Sequence, residues 1–264
     1  MSDDGYRSIR RESIGAVLRV TIDNPRNELN TVDAEMHDEL ARLFRELRQE
    51  NEVRAIILTG SGRAFSAGGD FNWFPQIDNL GGIEVVRRDG KQIIWDLLDL
   101  EVPIIAAVNG PAIGLGASLA LLCDVIFMAE TATIADPHVR VGIVAGDGGA
   151  AIWPLAVGPA RAKQYLLTGD PVSAAEAERI GLVNFVVPGD RLQEDALVFA
   201  ERLAAGAPLA LRHTKIAVNK LVKDALNIAF DYSTMAEGLT MASADHKEAV
   251  KAIKEKRKPH DEGS

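Results

Sequence analysis

Cysteine occurs only once in this chain of 264 residues, at Cys123. No internal disulfide is therefore available, and a reducing, cytoplasmic home is the default expectation. The lone thiol sits in the mostly apolar run Leu121 to Met128, the setting of a small buried hydrophobe. Long apolar runs are missing as well. No span of about 18 residues is apolar and free of charge, and the polar segment Met1 to Arg11 lacks the apolar core of a signal peptide. Neither membrane insertion nor secretion is expected. Basic residues are the minority charge, 29 against 38 acidic, giving a net −9 and a pI near 5.1. A general attraction to nucleic acid or to an anionic membrane is excluded on that balance, and an anionic ligand would need a local basic site.

Several motifs fail by one residue. Gly60-Ser61-Gly62-Arg63-Ala64-Phe65 follows a strand but has Phe65 where a dinucleotide fingerprint needs glycine. Gly90-Lys91 is followed by Gln92, which rules out a phosphate loop. Gly116-Ala117-Ser118-Leu119-Ala120 lacks the last glycine of a nucleophile elbow. No HExxH occurs, and one cysteine with five scattered histidines gives no metal-ligand spacing, so no metal is expected.

What remains is an ordinary globular composition, 47% apolar and 25% charged, with length for one large domain or one and a half. Residues 16–22 alternate as a half-buried strand that ends at Asn24-Pro25. From Val32 the apolar positions Met36, Leu40, Leu43, Phe44 and Leu47 fall at helical spacing, and Asn30 or Thr31 is expected to start that helix. Nearly continuous apolar runs at Val53–Thr59, Pro103–Val108 and Asp124–Ala129 predict strands of a covered sheet, with a helix over Ala117–Leu122. After Pro188 the pattern is helical: Leu192–Ala205, a break at Gly206–Pro208, then Leu209 to about Arg257. The expectation is an α/β core over residues 1–190 and a helical region over 191–264.

Two glycine-containing loops follow apolar strands: Phe65-Ser66-Ala67-Gly68-Gly69-Asp70 and Asn109-Gly110-Pro111-Ala112-Ile113-Gly114-Leu115-Gly116. Such loops make simple turns, but aimed at one point they would also form an oxyanion hole for a developing negative charge. These loops belong to a longer ordered set. It runs from Asn24-Pro25 and Asn27-Glu28-Leu29-Asn30 through Ala64–Asp70, Pro103–Gly110, Gly142-Ile143-Val144 to Gly149, Leu167-Thr168-Gly169 and Ala177–Val183, ending at Glu255–Pro259. Across residues 10–260 the set resembles the crotonase superfamily, that of enoyl-CoA hydratase and isomerase.

The resemblance implies a crotonase-like spiral of ββα units with a carboxy-terminal helical oligomerisation region, assembled as a homo-trimer or hexamer. It further implies an acyl-CoA substrate, with coenzyme A entering as part of that substrate and no separate cofactor. The oxyanion donors fall on Gly69 and Leu115, where the side chain of Leu115 departs from the family's glycine. Both hydratase glutamates are absent, their positions being Ser118 and His138. The pair His138 and Asp147, nine residues apart, is similar to that of 6-oxocamphor hydrolase, a member that cleaves a carbon–carbon bond of a cyclic diketone. The acidic partner from the helical tail of that enzyme falls on Glu237. On that basis Asp147 is expected to orient His138, and His138 to act as a base titrating near its free value of about 6.5. Ser118 is expected only to fill space. Arg26 is the candidate for the phosphates of coenzyme A, and Ala67, Asp70, Trp73 and Ser118 are candidates for contact with the substrate, with Phe74 and Trp95 as further aromatic candidates. Three functions stay open: an acyl-CoA enzyme of the hydratase/isomerase type that stabilises a thioester enolate; a hydrolase of a β-dicarbonyl C–C bond or a thioester using His138 and Asp147; and a non-catalytic oligomer that binds coenzyme A.

Overall fold

A computed structural model describes residues 5–77, 79–260 and 262–263. The chain begins with strands β1 (Ile9–Ile14) and β2 (Val17–Ile22), then helix α1 (Ala34–Leu47), strand β3 (Ala55–Gly60) and helix α2 (Leu80–Asp99). Strands β4 (Ile104–Val108) and β5 (Ala112–Ile113) lead into α3 (Leu115–Leu121), and β6 (Val125–Ala129) and β7 (Thr133–Ala135) precede α4 (Gly149–Val157) and α5 (Pro159–Thr168). Strand β8 (Val172–Ser173), α6 (Ala174–Arg179) and β9 (Phe185–Val187) complete the mixed part, and α7 (Leu192–Ala204), α8 (Pro208–Met241) and α9 (Ala244–Lys254) follow.

One sheet has the order β1-β2-β3-β4-β6-β9, parallel except for the β1–β2 hairpin; a small sheet has the order β5-β7-β8. Successive strands β4 and β5, and again β6 and β7, go one to each sheet. This winds the chain into the two-layered spiral expected of ββα units. The central strand β4 is wholly buried and β3 is buried up to its last residue, Gly60, which is why their sequences are mostly apolar without alternation. Strand β1 was not apparent in the sequence because it lies at the sheet edge, where only Ile9 is buried and arginines and a glutamate face outward.

Helix α1 starts later than expected, at Ala34, with the Asp33 carboxylate accepting from the Met36 N–H at 3.0 Å. Asn30 is used elsewhere: its side chain donates to the carbonyls of Ser61 and Ala64, each at 2.9 Å, tying the first loop to the first glycine loop. The helical tail is also divided differently. Helix α7 covers the sheet, with Leu192, Ala196 and Ala200 buried and Phe199 against Phe127 at 5.6 Å. The expected continuous helix beyond residue 209 breaks after Met241, where the Ser243 hydroxyl caps α9 by accepting from the His246 N–H at 3.1 Å.

Helix α8 is pinned across the core by buried polar anchors. Lys215 donates to the Val102 carbonyl at 2.9 Å and pairs with Asp124 at 2.8 Å, while Asn219 donates to the Leu98 carbonyl at 2.9 Å. Leu226 and Phe230 pack into the main core, the latter against Trp95 at 6.4 Å. These contacts fix the far end of α8, which carries Thr234, Glu237 and Met241, over the mouth of the glycine loops. Among the described residues, no helix is long and apolar enough to cross a membrane.

Candidate active site

The two glycine loops are joined by backbone hydrogen bonds. Ile113 N–H donates to the Ser66 carbonyl at 2.9 Å, and Phe65 and Ser66 both donate to the Pro111 carbonyl. Val32 N–H donates to Gly68, and Asp70 N–H donates back to Val32, so the intervening Gly69 amide faces away from that pairing. Leu115 is the first residue of α3, where an N–H has no intrahelical acceptor. Neither amide donates a hydrogen bond among the described residues, and both residues line one cavity of about 130 Å³.

That cavity brings together Ala67, Gly69, Trp73, Leu115, His138, Asp147 and Glu237, with Phe74 and Met241 in its wall. Phe74 is backed edge-on by His246 of α9 at 5.5 Å, and the His246 ring is itself anchored to the Val141 carbonyl at 2.7 Å. His138 lies on a short turn, His138–Val141, directly after β7. A side chain at Gly114 would meet its ring at 3.4 Å, so the imidazole lies over the start of α3.

Three carboxylates surround His138. Its Nδ1 is bonded to Asp136, while Nε2 faces Asp147 at 3.5 Å and Glu237 at 3.9 Å. Gly146 and Gly149 make this crowding possible. A methyl group at Gly149 would strike the Asp136 carboxylate at 2.0 Å, and one at Gly146 would strike Glu237 at 2.4 Å. The segment Gly146-Asp147-Gly148-Gly149 is therefore more than a turn, because its missing side chains admit two acids.

The electrostatics differ from the expectation of a lone histidine base. Burial disfavours the imidazolium, yet the carboxylates of Asp136, Asp147 and Glu237 outweigh that cost and hold the His138 pKa well above 6.5. Burial raises the Asp147 carboxyl above its ordinary value; the Asp136 charge adds to this, and His138 and the Ser118 hydroxyl work against it. Burial, with the charges of Asp147 and Asp136, raises Glu237 to about 8 against the pull of His138. At neutral pH the set therefore holds an imidazolium and a protonated Glu237.

Five expectations need correction. Asp136, not Asp147, bonds the Nδ1 of His138; Asp147 approaches the other nitrogen. Asp136 and His138 are only two residues apart in Asp136-Pro137-His138, and the turn that begins at Pro137 directly after β7 brings the carboxylate to Nδ1. Ser118 does more than fill space: it is buried, outside the cavity lining, and donates to Asp147 Oδ1 at 2.9 Å. Arg26 does not reach the cavity. Its guanidinium is paired with Asp33 at 2.6 and 3.0 Å, with Glu35, and with the Ser8 hydroxyl at 3.0 Å, so its charge is already matched within the chain. Asp70 is likewise absent from the lining; it shapes the loop by accepting from Asn72 N–H at 2.7 Å and Thr31 Oγ1 at 3.2 Å. Trp95 belongs to the core rather than to the cavity. His37 of α1, which lines the cavity, was not singled out from the sequence. Its place three residues before Leu40 on the apolar stripe of α1 was the available clue.

Asp136, His138 and Asp147 offer ligand atoms within 4.8 Å of one another, the spacing of a metal cluster. The hydrogen bonds assign these atoms differently: Nδ1 is taken by Asp136, and Asp147 spends one oxygen on Ser118. The arrangement is that of a proton-sharing set.

Fold and site together define a crotonase-type protein with an altered acid–base set. The enoyl-CoA hydratase/isomerase family model matches residues 12–264. The chain belongs to that family. It is 36% identical to a putative enoyl-CoA hydratase of Thermus thermophilus over 93% of this chain and 97% of that protein. Its fold matches that of an enoyl-CoA hydratase/isomerase from Mycobacterium paratuberculosis with a TM-score of 0.88 at 38% identity, covering 92% of this chain and 97% of the other. A β-diketone hydrolase from the cyanobacterium Anabaena, solved with (S)-3-oxocyclohexyl acetic acid bound, matches with a TM-score of 0.85 at 32% identity, covering 90% and 95%.

If Ser118 holds Asp147 in its charged form, Ser118→Ala should lower kcat by about tenfold, the worth of a hydrogen bond to a charged group. Loss of that donor raises the Asp147 pKa, so the acid limb of the pH–rate profile should move to higher pH. An unchanged limb would return Ser118 to the role of filler.

Proposed function

We propose that the protein is a crotonase-type hydrolase that cleaves a carbon–carbon bond of a β-dicarbonyl compound, with the departing enolate held by the N–H groups of Gly69 and Leu115. The observation that carries this reading is Glu237 beside His138 and Asp147 in the cavity wall, where a hydratase would have two glutamates in place of Ser118 and His138. The likeness to a β-diketone hydrolase supports it.

In this mechanism Asp147 accepts a proton from a water that attacks one carbonyl carbon. The oxygen of that carbonyl receives hydrogen bonds from the Nε2–H of His138 and the carboxyl of Glu237, both aimed at the same side of the cavity. Collapse of the adduct breaks the bond to the central carbon, and its electron pair passes into an enolate whose oxygen lies at the two backbone donors. The proton held by Asp147 then goes to that carbon. One water is consumed, and the products are a carboxylic acid and a ketone. Asp136 keeps the imidazole oriented and charged throughout.

A second reading keeps the same enolate site but takes an acyl-CoA thioester, which the names of the relatives favour. Arg26, engaged with Asp33 and Glu35, leaves that reading without the phosphate contact expected for it. A non-catalytic role fits poorly with a buried set of four ionisable groups, which is costly to maintain without a use.

The protein is also proposed to assemble as a homo-trimer or hexamer through α8, whose Leu221, Ile228, Tyr232, Met235 and Leu239 are mostly exposed in the isolated chain. Sedimentation at micromolar concentration should give a species of at least three chains. A stable monomer contradicts that assembly.

The activity test is turnover of a cyclic β-diketone against crotonyl-CoA. Diketone hydrolysis should follow a bell-shaped pH profile: activity is lost on the acid side as Asp147 gains a proton, and on the alkaline side near pH 8 as Glu237 loses one. Glu237→Gln should remove the alkaline limb. Efficient hydration of crotonyl-CoA with no diketone cleavage would reverse the assignment.

A further inference from the structure

His37 is a buried titratable group that the mechanism leaves unused and that lines the site itself. It lies on α1, is 5% exposed, lines the same cavity as His138, and stacks at a tilt on Trp73 with 5.2 Å between ring centres. Its ring makes no hydrogen bond among the described residues, although buried polar groups are nearly always paired. The nearby wall comes from α2, where Gly90 also lines the cavity and a side chain there would meet nothing within 4 Å, so open space adjoins this part of the pocket.

The charge of the lining narrows what can enter. Among the described residues, no lysine or arginine lines the cavity, and its carboxyl groups are Asp147 and Glu237. An anionic substituent would lose its hydration, and the His138 imidazolium, the cation of the lining, is already engaged by Asp136 and faces Asp147. Apart from the histidines and Thr234, whose hydroxyl is spent on the Phe230 carbonyl, the remaining wall, including Val32, Val86 and Phe71, is apolar. Burial lowers the His37 pKa below its ordinary value, with Asp89 and Asp38 opposing, so this imidazole is neutral at neutral pH and can both donate and accept.

We infer that His37 is a specificity residue, a neutral imidazole that hydrogen-bonds one uncharged oxygen, such as a hydroxyl or ketone, on the part of the substrate remote from the cleaved bond. The inference deepens the hydrolase reading and rests on it for the identity of the reacting end. It defines the substrate class as an uncharged, mostly apolar β-dicarbonyl compound with one remote oxygen. A group positioned to bond a substrate oxygen discriminates against the analogue without it, because the site's own polar group is then left unpaired.

The test uses a cyclic β-diketone dialkylated between its carbonyls, which keeps it uncharged, in three forms differing at one remote ring carbon: hydroxymethyl, ethyl and carboxylate. Affinity is read by tryptophan fluorescence, for which Trp73 against His37 is a local reporter, and turnover is read separately. The wild-type protein should favour hydroxymethyl over ethyl by about tenfold in Kd, and bind the carboxylate more weakly than either. His37→Phe, which keeps a ring against Trp73, should erase the preference while still binding the ethyl form; His37→Gln should retain part of it. Preferential binding without hydrolysis would uphold the role of His37 and overturn the hydrolase reading. The inference is overturned by a preference that survives in His37→Phe, by equal binding of the hydroxymethyl and ethyl forms to the wild-type protein, or by binding of neither.

Discussion

The pairing of the His138 imidazole with the buried carboxylate of Asp136 is the constraint on which the site depends. It fixes the ring over the start of α3, and it supplies the first of the negative charges that keep the ring protonated in a place where burial alone would neutralise it. Asp147 and Glu237 then meet the other nitrogen, so their own protons are set by the same charge. None of the three acids can be altered without moving the others. The glycines at 146 and 149 are required by that crowding, and so is the anchoring of α8 by Lys215 and Asn219, which delivers Glu237 from the far end of the sequence.

This arrangement explains how one family scaffold supports a different proton inventory. The loops that present the Gly69 and Leu115 amides depend on backbone pairing, which does not ask which acid or base stands nearby. Replacing a carboxylate pair by a histidine among three carboxylates changes which group donates and which accepts, with the two backbone amides left as they were. The cavity that results has acid–base groups from the turn after β7 and from α8, and an apolar wall with one neutral imidazole from α1 and α2.

Much of this was legible in the sequence. The apolar runs of β3, β4 and β6 were placed to within two residues, because a covered sheet demands such runs. The motif order gave the family, and with it the glycine loops, His138, Asp147 and Glu237. The losses have physical causes. Edge strand β1 carries no apolar pattern, and β5, β7 and β8 are only two or three residues long, too short to show a period. The break at Ser243 is a cap within an otherwise helical pattern. Arg26 looked free because its partners, Asp33 and Glu35, belong to the next element. The role of Asp136 was missed because charge states depend on three-dimensional distance, which a spacing of two residues only suggests.

Nitrogen-15 NMR of the histidine ring nitrogens tests the central claim most directly. The chain has five histidines, and His138→Gln identifies the signal of interest. The account predicts an imidazolium at pH 7, with both ring nitrogens protonated, and a marked fall in its pKa in Asp136→Asn. A neutral His138 ring at pH 7 that titrates near 6.5 and ignores Asp136→Asn would contradict it.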